Sequence, residues 1–232
     1  MERRDFIKLC AAAAAPQVVR PSANLPVHHY ARAILTDEHG QPLHRNALVP
    51  KRNYIFHYPY AGTPCFLIDL GKPTVEDVPL KTATGERYHW TGGIGPDRSI
   101  VAYSAICSHR MAYPTPQISF ISYREQSTAP DVSRPEMIHC CSEHSEYDPA
   151  SGARVTSGPA PQPLAAVLLE YDPAQDTLFA VGMTGGELFD AFFRKYEMKL
   201  SLDYGANRAA QRVTDRTVVT ELEHFCRQQV RC

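Results

Sequence analysis

With 232 residues, 44% of them hydrophobic and 21% charged, the chain has the size and balance of one well-buried globular domain with appendages. A formal net charge of −1 provides no broad field of either sign, which argues against nucleic acid or an acidic membrane surface as a partner. Nineteen prolines against thirteen glycines indicate a loop-rich, sheet-based structure rather than a helical bundle. The seven cysteines are odd in number and scattered, which fits a metal role for some of them better than a disulfide framework.

Residues 1–24 read as an export signal: Arg3-Arg4-Asp5-Phe6-Ile7-Lys8 precedes a weakly apolar run from Leu9 to Val19. The pattern resembles a twin-arginine signal, which moves folded proteins out of the cytoplasm and would place this chain in the periplasm. Pro16 interrupts the run, and it is shorter than the roughly 20 residues needed to span a bilayer, so membrane anchoring is not expected. From residue 25 to residue 182 a β domain is expected. Its strands include Tyr30 to Leu35, Tyr54 to His57, and Cys65 to Leu70, the last apolar enough for a central strand. Thr91 to Asp97 is a turn cluster, and a strand from Ser99 to Ile106 leads into Cys107. Ile118 to Tyr123 has strand character, and the polar, proline-bearing stretch from Gln126 to Pro135 reads as a surface loop. Ala166 to Tyr171 and Leu178 to Gly182 form a hairpin. Residues 183–232 form a partly helical extension, with helices expected over Glu187 to Leu202 and Thr220 to Val230. In the second, Thr220 and Glu223 suggest a capping box, and Cys226 and Cys232 flank its end as a possible pair.

The chemistry concentrates in two short motifs, Cys107-Ser108-His109 and Cys141-Ser142-Glu143-His144. Two thiolates and two imidazoles can hold one tetrahedral zinc or a two-iron, two-sulfide cluster. Structural zinc sites usually place like ligands close together, whereas here each motif gives one Cys and one His. That mixed pairing suits a cluster with both thiolates on one iron and both imidazoles on the other. Neutral imidazoles lower the negative charge around such a cluster, and potentials run from about −150 to +300 mV against about −400 mV for plant-type all-cysteine clusters. Cys140 and Cys141 are adjacent, and only Cys141 gives a Cys-x-x-His spacing. Cys141 is therefore the expected ligand, with Cys140 a small buried hydrophobe on the opposite side of an extended backbone.

These motifs resemble the Rieske iron–sulfur family. Gly158-Pro159-Ala160-Pro161 with Leu164 is similar to the proline loop that covers the cluster in that family. The order of motifs over about residues 46 to 182, including Tyr58-Pro59 and Ser104, is most like the small Rieske subunit of arsenite oxidase. The resemblance implies an all-β, Rieske-type antiparallel sandwich with an inserted cluster-binding subdomain at about residues 100 to 165. It implies a [2Fe–2S] cofactor on Cys107, His109, Cys141 and His144, with Ser145, Tyr147, Gly158 and Pro159 around it.

The function implied is that of an electron-transfer subunit rather than a catalyst by itself. Its partners would be a catalytic oxidoreductase subunit containing molybdopterin, as in arsenite oxidase, and a cytochrome or similar acceptor. Two alternatives stand beside this reading: the Rieske subunit of a quinol-oxidising cytochrome bc complex, and a zinc-stabilised structural or binding protein. The chain departs from the family in three ways. Ala112 and Glu143 occupy the positions of the usual disulfide between the cluster loops, so loops held by packing are expected. The connection from Arg110 to Cys140 is long, and Ser145 and Tyr147 arrive one residue early after His144.

Overall fold

The computed structural model describes residues 27–126 and 134–232. The export signal expected over residues 1–24 and most of the polar loop expected from Gln126 to Pro135 lie outside the described residues. The elements are β1 (His28–Thr36), β2 (Tyr54–His57), β3 (Pro64–Asp69), β4 (Val78–Lys81), β5 (Arg87–Trp90), β6 (Ile100–Ser104), β7 (Ile121–Arg124), β8 (Met137–Cys140), β9 (Ser145–Asp148), β10 (Arg154–Ser157), β11 (Ala166–Asp172), β12 (Thr177–Thr184), α1 (Phe189–Tyr204), β13 (Arg216–Val218), β14 (Thr220–Glu221) and a single helical turn, α2 (Leu222–Phe225).

One eight-stranded sheet in the order β13-β1-β12-β11-β6-β3-β2-β14 forms the body. Its pairs are antiparallel except β1 with β13. The sheet curls until β13 nears β2, where the Thr217 hydroxyl donates to the His57 carbonyl at 2.9 Å and accepts from its N–H at 3.3 Å. A four-stranded sheet, β10-β9-β8-β7, and a hairpin, β4-β5, pack on the outside. The all-β sandwich with an inserted subdomain and a partly helical C-terminal extension is thus the architecture observed.

The residue period of a strand explains how the layers meet. On β3, Cys65 and Leu67 enter one core and Phe66 and Ile68 the other. On β6, Ile100 and Ala102 divide from Val101 and Tyr103 in the same way. Alternate side chains point to opposite faces, and both faces are covered, so the apolar run is continuous. The first core lies inside the curled sheet, closed by Phe192 of α1; the second joins the sheet to Trp90, Ile138, Tyr147 and Leu222. Each large apolar side chain so buried stabilises the fold by about 1.5–3 kcal/mol.

The C-terminal region corrects one expectation. The helix expected over Glu187 to Leu202 is α1, two residues later, ended by Gly205 at φ +87°. The helix expected from Thr220 to Val230 is only one turn. Thr220 and Glu221 pair as strand with Ile55 and Tyr54, and Glu223 faces Arg52 at 3.8 Å instead of capping. Beyond Cys226 the chain runs along residues 116–119: the Arg227 N–H donates to the Pro116 carbonyl at 3.0 Å, Ser119 N–H to Gln228 at 2.8 Å and Val230 N–H to Ser119 at 2.8 Å. Tertiary pairing overrides the local helical pattern here.

Candidate metal centre

β6 delivers Cys107 into the first loop, which turns back at once. The Cys107 N–H donates to the Ala112 carbonyl at 2.9 Å, and the Met111 N–H to the Cys107 carbonyl at 2.8 Å. This return needs Met111 at φ +59°, a left-handed conformation uncommon outside glycine. From α1, Lys195 Nζ donates to the Arg110 carbonyl at 2.5 Å, while Tyr113 sets its ring edgewise, 4.9 Å from both Phe192 and Tyr196. From the proline segment, the Gln162 carbonyl accepts from the Ser108 hydroxyl at 2.6 Å.

The second loop, residues 141–144, joins β8 to β9 as a tight turn. Cys140 and Ser145 are cross-strand partners, so they share a face with Tyr147, two residues further on. His144 takes φ +56°, and Gly158 packs against its backbone. A Cβ on Gly158, which has φ +84°, would lie 2.6 Å from Ser145 Cα and closer still to the His144 carbonyl oxygen. The proline segment can approach this loop only through a glycine.

Between the loops the thiols of Cys107 and Cys140 face one another, both buried and both free. The hydrogen bond from Cys140 is the main cause that pulls the Cys107 thiol down to about 6, against the opposing effect of burial. That same bond, with burial, pushes Cys140 up. The Tyr147 hydroxyl lies 3.3 Å from Cys107 Sγ and 3.2 Å from Ser108 Oγ, and accepts from the Ser108 N–H at 3.2 Å. One soft sulfur is therefore held ready to deprotonate, as a metal thiolate must be.

The adjacent cysteines exchange the roles that spacing suggests. Cys141 is joined by a disulfide to Cys232, with Cα atoms 5.5 Å apart, so in this state its sulfur cannot serve as the thiolate partner of Cys107. Cys140, expected to point away, is the residue that faces Cys107. The bond also revises two further expectations. Cys226 stays free, and packing is joined by a covalent link that ties the second loop to the C-terminal segment. It closes a span of 91 residues, for which the chain-entropy model gives about 4–5 kcal/mol.

The remaining expected residues divide. His109 is half-buried, and its Nδ1 is buried without a hydrogen-bond partner. Ser145 is buried with an unpartnered hydroxyl, and Tyr147 reaches Cys107. His144 and Pro159 are exposed, while Glu143 pairs with Arg110 of the first loop at 3.5 Å. Buried polar atoms are nearly always satisfied; of the several buried atoms without a partner, the Tyr88 and Thr177 hydroxyls among them, two lie at the paired motifs, His109 Nδ1 and Ser145 Oγ, and these fit a group that accepts a ligand bond from one and a hydrogen bond from the other. Sulfide-bridged iron has both capacities.

Spacing concealed Cys140, although one signal pointed to it. Ser145 and Tyr147 lie one residue early relative to His144, and Cys140 is one residue early relative to Cys141. Counted from Cys140, Ser145 and Tyr147 lose the offset, and His144 takes it over, one residue late. Ser108 and Gln162, which tie the first loop to the proline segment, carried no signal beyond ordinary polarity.

Among the described residues, only Glu221, Glu223 and His224 bring three potential ligand atoms within 4.8 Å of one another. Arg52 already neutralises the acidic pair, at 2.8 Å from Glu221 and 3.8 Å from Glu223. No imidazole joins Cys107 and Cys140 at that spacing, so the two loops do not present the compact four-ligand set of a single zinc.

No protein-family model matches the chain. Among solved structures it is similar to the soluble domain of the Rieske protein II (soxF) from Sulfolobus acidocaldarius, with 27% identity over 57% of this chain and 68% of that chain, at a TM-score of 0.40. At that score the two folds superpose only in part, and the functional reading rests on the side chains of the two loops.

Proposed function

We propose that this chain carries a Rieske-type [2Fe–2S] cluster and acts as an electron-transfer protein. The observation that carries the proposal is the buried Cys107–Cys140 pair, with the Tyr147 hydroxyl 3.3 Å from Cys107 and with His109 Nδ1 and Ser145 Oγ unpartnered in the same two loops. Cys107, Cys140, His109 and His144 are the residues that would hold the cluster, the thiolates on one iron and the imidazoles on the other. When bound, the cluster supplies a one-electron couple tuned by its mixed thiolate and imidazole ligation. The chain's own residues keep that couple in place. Tyr147 donates toward the Cys107 sulfur, Ser145 offers a second donor, and Gly158 lets the proline segment cover the second loop. The exposed side of His144 gives electrons a route to a partner.

The sequence resemblance extends the proposal to cellular context. The chain leaves the cytoplasm folded, by the twin-arginine route, and works in the periplasm. There it takes single electrons from a catalytic oxidoreductase, a molybdenum subunit of the arsenite oxidase type, and passes them to a cytochrome. Iron and acid-labile sulfide analysis of protein produced in iron-replete cells tests the cofactor. Two iron and two sulfide per chain are expected; zinc without sulfide would overturn the proposal.

A further inference from the structure

We infer that the Cys141–Cys232 disulfide, seated on Arg124, is a register lock that, once formed, keeps Cys140 rather than the adjacent Cys141 at the metal centre. The inference rests on the cluster reading above. Cys140 and Cys141 stand next to each other at the mouth of a tight turn, and either sulfur could reach the centre if the end of β8 slipped by one residue. Such a slip turns every side chain to the opposite face. Cys140 would then leave Cys107, and Ser145 would lose its place opposite it.

The pairing of β8 with β7 and β9 opposes the slip along the strand, and at its end further contacts act on Cys141. Its N–H donates to the Phe120 carbonyl at 2.7 Å, and its sulfur is bonded to Cys232. Arg124 contacts that sulfur at 2.6 Å and donates to the carbonyls of Val230 at 2.8 Å and Cys232 at 2.7 Å. Behind them, Arg227, Gln228 and Val230 pair with Pro116 and Ser119. The Phe120 carbonyl thus grips Cys141 one residue beyond the stretch held by the C-terminal segment. Cys141 is held on the outer side of the turn by backbone, sulfur and guanidinium together, and Cys140 is left facing inward. Cys141, Cys232 and Arg124 are positioning residues and touch no iron.

Cysteine variants purified with their cluster test this by low-temperature EPR. Cys140→Ser is expected to lose the signal, whereas the double variant Cys141→Ser/Cys232→Ser keeps the parent's single-component signal, because no rival thiol remains. Cys232→Ser alone frees Cys141 and is expected to give a second component of comparable amplitude. Cys140→Ser/Cys232→Ser is expected to regain a cluster, with the signal of that second component. A Cys232→Ser spectrum identical to the parent's would overturn the lock, as would loss of the signal in Cys141→Ser/Cys232→Ser with retention in Cys140→Ser. Non-reducing peptide mapping, which needs no cluster, checks the bond itself: a linked Cys141–Cys232 peptide supports the lock, and its absence from aerobically purified protein refutes it. A parent protein with the linked peptide but no cluster would instead defeat the underlying reading.

Discussion

In the large sheet, β3 and β6 bury apolar side chains on both faces, and hydrophobic contact in two cores holds them. In the neighbouring β8 and β9 the buried side chains include His139, Cys140, Ser145, Glu146 and Tyr147, of which His139, Glu146 and Tyr147 are held by specific polar contacts. His139 faces Glu146 at 3.5 Å, and the Glu146 carboxylate also accepts from the Arg134 N–H at 3.2 Å. The first region tolerates exchange of one apolar group for another of like volume. The second does not, since a buried polar group left without its partner costs about 1–3 kcal/mol. One part of the molecule is a scaffold and the other a fitted socket, joined through Tyr103, whose hydroxyl donates to the Pro149 carbonyl at 2.7 Å.

The contrast breaks most severely in the scaffold. Phe192, fully buried against Tyr113 and Tyr196, should cost about 3–5 kcal/mol when cut to alanine. The urea midpoint falls accordingly, while the EPR line shape of the folded fraction stays that of the parent. Gly158→Ala acts on the socket. Left-handed strain and the clash with the His144 and Ser145 backbone together amount to about 2–4 kcal/mol. Bound iron is expected to drop severalfold with the far-UV CD spectrum retained, and unchanged iron content would show that the proline segment does not cover the loop.

A smaller effect depends on pH. Burial pushes His57, in the scaffold, from 6.5 down to about 4. Unfolded, the ring takes up a proton as pH falls through about 6.5, whereas folded it stays neutral until about 4. The unfolded chain binds more protons across that window, so stability is complete above pH 6.5 and is lost as pH falls toward 4, by roughly 2–3 kcal/mol. Urea titrations at several pH values measure the slope, and His57→Gln is expected to flatten it. The smallest effect is in the socket. Tyr147→Phe removes one donor near Cys107 and is expected to lower the potential by on the order of 50 mV, the equivalent of about 1 kcal/mol; a potential unchanged in redox titration would remove Tyr147 from the tuning set.

The same contrast explains what could be read in advance. β2, β3 and β6 announce themselves because apolar runs bounded by turn residues have few other readings. β8, β9 and β10 gave no such signal: β9 buries Ser145, Glu146 and Tyr147, β8 buries His139 beside Ile138 and Cys140, and β10 has no buried residue, so hydrophobic periodicity is silent about them. The two motifs were legible as a pair, and Cys107, His109, Ser145 and Tyr147 all lie in or beside the two loops. Cys140 was hidden because the choice between neighbouring thiols depends on Cys232, 91 residues beyond Cys141, and on a C-terminal segment that pairs as strand where its pattern suggests helix. No local spacing records a contact of that range.

His144 and Glu143 give one more way to sharpen the socket. In the proposed site His144 is the fourth ligand and Glu143 stays paired with Arg110 at 3.5 Å. Iron content and EPR are therefore expected to survive Glu143→Ala and to be lost in His144→Ala; the opposite result would put a carboxylate on the second iron. The most direct measurement of the central claim is low-temperature EPR of the dithionite-reduced protein. A rhombic Rieske-type signal is expected, integrating to about one spin per two irons for a one-electron cluster. An EPR-silent sample with full iron and sulfide content, or a signal of another cluster type, would contradict it.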